Sequence, residues 1–144
     1  MIKAALFDLD GVVFDTESQY SVFWGMIGKE YHPEIPDFAQ IIKGQTLVQI
    51  YDKYFSDDKI FASKDDFCSV KDEQAKITAR LDEFEQNMSY NYIAGFEDFV
   101  KDLRNNGIKC AVVTSSNIPK MLNVYQQRPE FKDYFDRVLT SEDF

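Results

Sequence analysis

The sequence predicts an α/β fold in which a parallel sheet is interrupted by a helical insertion, and three observations carry that expectation. Apolar runs of strand length stand at 2–7 and in "GIKCAVVT" at 107–114, about a hundred residues of helical pattern separate them, and after the second run a helical segment leads to a third short run, "DRVLT". Parallel strands need such crossover connections, usually helical, and ligands of such sheets bind beyond the carboxyl ends of the strands.

Each element has its own signal. Residues 2–7 and 107–114 read as short, fully buried strands. Asp15 or Thr16 can cap a first helix burying Tyr20, Phe23, Trp24 and Ile27. A short helix from Asp37 to Lys43 ends at Gly44, and Thr46 caps another that carries Leu47, Ile50, Tyr51 and Tyr54. The longest helix begins near Ser63, where "SKDD" resembles a capping box, and buries Phe67, Val70, Ile77, Leu81 and Phe84. Then "GFEDFVKDLRNNG" sets Phe96, Phe99, Val100 and Leu103 on one face and stops at Gly107. "SNIPKMLNVYQQ" opens the last helix with Asn117 near the cap and Pro119 in the first turn. Residues 1–15 and 92–144 thus form the α/β core and 16–91 a helical subdomain.

Composition narrows the function. Of 144 residues, 44% are hydrophobic and 15% aromatic, ample for a packed core. A formal charge of −9, from 16 basic and 25 acidic residues, argues against a nucleic-acid surface, since phosphate neutralisation needs clustered Lys and Arg. The N-terminal apolar run is far too short for a membrane span and lacks a secretory pattern, so a cytoplasmic protein is expected. Nothing sets an oligomeric state. Cys68 and Cys110 have neither metal-ligand spacing nor a disulfide framework and read as reduced packing residues. The only histidine, His32, reads as an exposed loop residue, and "SDDKIFASKDD" as a solvated loop and helix start.

The chemistry concentrates at the two strand ends. Two carboxylates emerging together from a buried strand repel each other and are costly to hold unless a divalent cation neutralises them. Alternation points Asp8 and Asp10 the same way, and Gly11 lets the chain turn. One carboxylate can attack phosphorus while the other passes a proton. Taken by spacing alone, the same residues also make an ordinary turn after a strand.

The segment "FDLDGVVFDT" closely resembles the first signature of the haloacid dehalogenase superfamily, in the branch with helical caps that includes β-phosphoglucomutase and small phosphatases. The resemblance implies a Rossmann-like core with an inserted cap, Asp8 as the nucleophile and a Mg²⁺ ligand, and Asp10 as general acid and base that gives Mg²⁺ its backbone carbonyl. "CAVVTSSN" resembles the second signature, which implies that Thr114 and the backbone NH groups of Ser115 and Ser116 hold phosphoryl oxygens near a helix N-terminus, with Gly11 a further phosphate-binding candidate. "IIKGQT" is similar to the substrate loop of the cap, making Lys43 and Gly44 substrate candidates beside Thr16 and Asn117. Thr16 also reads as a helix cap, and Lys43–Gly44 as a helix stop.

The implied function is Mg²⁺-dependent hydrolysis of a small phosphorylated metabolite through an aspartyl phosphate. A sugar-phosphate mutase is the alternative, disfavoured because Tyr20 stands where such mutases often have His. A noncatalytic phosphate-binding module is the other. The family pattern continues past residue 144 with a lysine that steadies the aspartyl phosphate and a strand of metal-binding acids, so a shortened form of a longer cap-containing protein is expected, with Glu142 and Asp143 outside the metal shell.

Overall fold

The computed structural model describes residues 1–57, 61 and 69–143. In chain order the elements are β1 (Ala4–Phe7), α1 (Glu17–Tyr31), α2 (Phe38–Ile41), α3 (Leu47–Tyr54), α4 (Val70–Asn87), α5 (Phe96–Asn105), β2 (Lys109–Val113), α6 (Ile118–Gln127) and β3 (Arg137–Leu139). They fall into two units, Met1–Glu17 with Glu85–Phe144, and Ser18–Phe84.

The first unit carries a parallel sheet of order β1-β2-β3. Phe7 pairs with Val112, and Val113 with Leu139, so all three strands end at the same margin. The expectation of a fully buried first strand is corrected: Phe7 is buried but Leu6 is 71% exposed, because β1 lies at the edge of the described sheet and its pleat sends alternate side chains to opposite faces. Phe99, expected on the buried face of α5, is 55% exposed, although its ring meets Phe7 edge-on at 6.2 Å.

An aromatic chain forms the core of this unit. Phe7 packs edge-on against Phe96 and Phe135, Phe135 against Phe131, and Phe131 stacks on Phe14, which also meets Tyr90 and Tyr92. Each such pair adds about 0.5–1.5 kcal/mol beyond the area it buries. The core thereby grips the loop after β1 from below. Residues 88–91 are fastened in turn to the end of α6: Gln127 donates to the Met88 carbonyl at 2.6 Å, and Arg128 to the Tyr90 carbonyl at 2.8 Å.

The second unit is a helical cluster closed over Phe23, Trp24, Ile27, Phe38, Ile42, Ile50, Phe55, Phe61 and Ile77, with Tyr20, Leu81 and Phe84 half-buried around it. Thr46 caps α3 as expected, in a reciprocal box with Gln49. The second helix is shorter than expected, Phe38–Ile41, and its N-cap Asp37 makes no side-chain cap bond. The expected box at Ser63, with Phe67, Cys68 and most of "SDDKIFASKDD", lies outside the described residues. The described helix is capped instead by Ser69 and Asp72, each side chain accepting the other's backbone NH.

His32 corrects another expectation. It is 7% exposed, stacks on Phe38 at 5.5 Å, and its ring nitrogens meet the Glu34 carboxylate and the Tyr54 carbonyl. Partnering both nitrogens is what lets an imidazole enter an aromatic core. Cys110 is a free, buried thiol, as expected, and burial pushes its pKa up.

Candidate active site

Beyond Phe7 the chain turns tightly on itself. Val13 and Phe14 both donate to the Leu9 carbonyl, at 3.0 and 3.1 Å, and Gly11 donates to the Phe14 carbonyl at 2.8 Å. Leu9, Val13 and Phe14 are fully buried and anchor the turn, while Gly11 takes a φ of 77°, the left-handed region where a side chain is strained. A Cβ at Gly11 would also stand 2.6 Å from Glu17 Oε1. The consequence is an anchored platform with Asp8 and Asp10 on it.

The two aspartates have different surroundings. Asp8 is exposed, and its Oδ1 accepts the Leu9 NH at 2.8 Å. Asp10 is half-buried and held by three hydrogen bonds from two groups: Lys120 Nζ donates to Oδ1 at 2.9 Å and Oδ2 at 2.7 Å, and Thr16 Oγ1 donates to Oδ1 at 2.7 Å. Lys120 is 5% exposed, and its Nζ lies 3.7 Å from Glu85 Oε2 as well. Tyr90 closes this cluster. Its hydroxyl donates to the Glu85 carbonyl at 2.9 Å, and burial, with Glu85 and Asp10 nearby, pushes the phenol well above the usual tyrosine range.

At the end of β2, Thr114 continues the ladder by donating its NH to the Leu139 carbonyl at 2.9 Å. Its buried hydroxyl accepts the Ser116 NH at 3.1 Å and bonds the Ser116 hydroxyl at 3.0 Å, leaving Ser115 exposed at the tip of the turn. Asn117 caps α6 by accepting the Lys120 NH at 3.0 Å, with Pro119 in the first turn. Lys120 therefore leaves the first turn of the helix after β2 and reaches the carboxylate after β1, joining the polar groups of the two strand ends.

Thr16 is fully buried, with its hydroxyl committed to Asp10. Lys43 and Gly44 belong to the other unit, where Lys43 is exposed and Gly44 has a φ of 81° in the turn after α2. Asp143 folds back locally onto the Thr140 NH, whereas Glu142 reaches the Ile118 NH at the start of α6.

Asp8 offers a hard cation an exposed carboxylate, whereas the Asp10 carboxylate is held by Lys120 and Thr16. The Asp8 carboxylate has the oxygen chemistry that Mg²⁺ takes. Among the described residues no group of three or more His, Cys, Asp and Glu side chains gathers into a fuller site.

The missed residue is Lys120. A lysine in a helix reads as solvated, but its spacing held a signal, since it falls four residues before Val124 on the stripe that α6 buries.

With this geometry the chain joins a known family. The family model of haloacid dehalogenase-like hydrolases matches residues 2–144, and the chain belongs to that family. Its fold resembles a candidate β-phosphoglucomutase from Thermotoga maritima (TM-score 0.65, 18% identity, covering 99% of this chain and 63% of that one). It also resembles a HAD hydrolase of family IA, variant 3, from Entamoeba histolytica HM-1:IMSS (TM-score 0.67, 15% identity, 98% and 62%). A third similar structure is CbbY from Rhodobacter sphaeroides in complex with phosphate (TM-score 0.62, 16% identity, 100% and 65%). The chain thus spans a little under two thirds of the length of these proteins. No curated protein matches the sequence significantly. Among the described residues no helix is long and apolar enough to cross a membrane.

Proposed function

We propose that this protein is a Mg²⁺-dependent phosphohydrolase of a small phosphorylated metabolite, acting through an aspartyl phosphate on Asp8. The observation that supports this best is the arrangement of Asp8, Asp10, Thr114 and Lys120 within one unit at the carboxyl margin of a parallel sheet, in a chain of this family. The phosphate in the CbbY complex agrees with a phosphate monoester as ligand.

In the reaction, an Asp8 carboxylate oxygen attacks phosphorus, a new O–P bond forms and the ester P–O bond breaks. The leaving oxygen takes a proton from the Asp10 carboxyl. Water then attacks the aspartyl phosphate, gives a proton to Asp10 and regenerates Asp8 with release of inorganic phosphate. Thr114 and the amide of Ser115, at the entry to α6, hold the phosphoryl oxygens. The Asp8 carboxylate and the Asp10 main-chain carbonyl would hold Mg²⁺, which when bound would supply charge neutralisation. Lys43 and Gly44, in the helical unit, are the further candidates for substrate contact. Tyr20 packs against Phe84, a phenol where mutases of this branch often carry His, and this favours transfer to water over transfer to a second sugar hydroxyl.

The test is phosphate release from an aryl phosphate ester with and without Mg²⁺. Wild type should turn over only with the metal, and Asp8→Asn should lose activity by about a thousandfold or more. Equal turnover by the variant would refute the assignment of Asp8, and binding of phosphate without turnover would favour a noncatalytic module.

A further inference from the structure

We propose that Lys120 is a positioning residue for Asp10, fixing the carboxyl that exchanges protons with the leaving group and with water. This rests on the reading of Asp10 above but adds a residue to it.

The geometry has three parts. First, a single ammonium bonds both Asp10 oxygens, at 2.9 and 2.7 Å, while Thr16 bonds one of them at 2.7 Å, so the carboxylate cannot rotate about its last torsion without breaking a contact. Second, Lys120 is 5% exposed, and burying an ammonium is unfavourable unless it is well paired. Its pairing is with Asp10 at 2.7 Å and more loosely with Glu85 at 3.7 Å, so the shorter contact selects Asp10. Third, the cluster is anchored at both ends: Thr16 lies at the entrance to α1, and Glu85 is where the chain re-enters its unit after Phe84.

A proton-transfer group must come within about 2.6–3.2 Å of its target oxygen. A misplacement of about 1 Å is enough to lower a rate by about a hundredfold. Lys120 acts on that requirement. It touches Asp10 rather than the reacting phosphate, so it should govern the rate of the chemical step and not substrate affinity.

The experiment compares wild type, Lys120→Met, Asp10→Ala and the double variant by steady-state hydrolysis of an aryl phosphate, by binding of inorganic phosphate, and by urea unfolding. Methionine keeps most of the stem length and removes the charge. The proposal expects kcat of Lys120→Met to fall about 10- to 100-fold with KM and phosphate affinity changed by less than about threefold. In the Asp10→Ala background the same substitution should change kcat by less than about twofold, because residues that act as a unit are not additive. A rise of tenfold or more in the phosphate dissociation constant would make Lys120 a phosphate ligand and overturn the proposal. So would a kcat loss that is equal in both backgrounds, or no loss at all.

If wild type shows no turnover, the phosphohydrolase reading of this chain fails and unfolding decides the pair. Lys120→Met should then raise the unfolding equilibrium constant about tenfold or more in wild type and clearly less in Asp10→Ala. Equal losses would show that the two residues are not coupled and would overturn the proposal.

Discussion

Gly11 and Gly44 have nearly the same backbone, with φ of 77° and 81°, but different neighbours. An added Cβ meets nothing within 4 Å at Gly44, whereas at Gly11 it meets the carboxyl end of Glu17. Gly44→Ala should therefore report the left-handed strain alone, about 1 kcal/mol. Gly11→Ala should lose that amount plus a small increment, since the end of a glutamate can swing aside, and urea unfolding of both would measure the difference. Among single residues, the DxDG stretch and Thr114 were readable because their types and spacing are local. His32 and Lys120 were not, for one physical reason: each takes its role from a partner outside its own element, Asp10 for Lys120, and Phe38 with the Tyr54 carbonyl for His32.

At the scale of elements, the cap of α3 and the join between strands are open to test. Thr46 accepts the Gln49 NH at 3.3 Å and Gln49 returns a bond to the Thr46 NH at 2.8 Å, so Thr46→Ala should destabilise by about 1 kcal/mol, with Thr46→Ser losing much less. Asp136 joins β2 to the start of β3. Its carboxylate accepts the Cys110 NH at 2.8 Å and meets Arg104 at 3.3 Å, and the Cys110 NH, with Arg104 and Lys109 nearby, holds its pKa below the usual aspartate value. A lowered folded-state pKa contributes stability that is complete above the ordinary aspartate pKa, about 4. That contribution is lost as pH falls through the lower folded value. Wild type should thus exceed Asp136→Asn in stability at neutral pH, and the gap should close on acidification, whereas a gap independent of pH would remove this role from the carboxylate. Element order and the parallel sheet were legible because strand-length apolar runs alternate with helical periods. The exposure of Leu6 and Phe99 was not, because burial on a sheet face depends on which neighbours cover it.

For the molecule as a whole, each unit has its own core, and the loop bearing the aspartates is bound to one of them through Phe14. Phe14→Ala removes a fully buried ring in contact with Tyr90, Tyr92 and Phe131, and should destabilise by about 3–5 kcal/mol, a large part of the stability of a small domain. Chemical denaturation followed in the near ultraviolet would register it. The central claim is that this core exists to present Asp8 as a nucleophile to a phosphate ester. Its most direct test is acid quenching of the protein during turnover of an aryl phosphate, followed by mass spectrometric mapping of the phosphoryl group. A hydroxylamine-labile phosphoryl group is expected on the peptide that contains Asp8, absent from Asp8→Asn. Turnover with no phosphoprotein in either, or with the label on another residue, would contradict it.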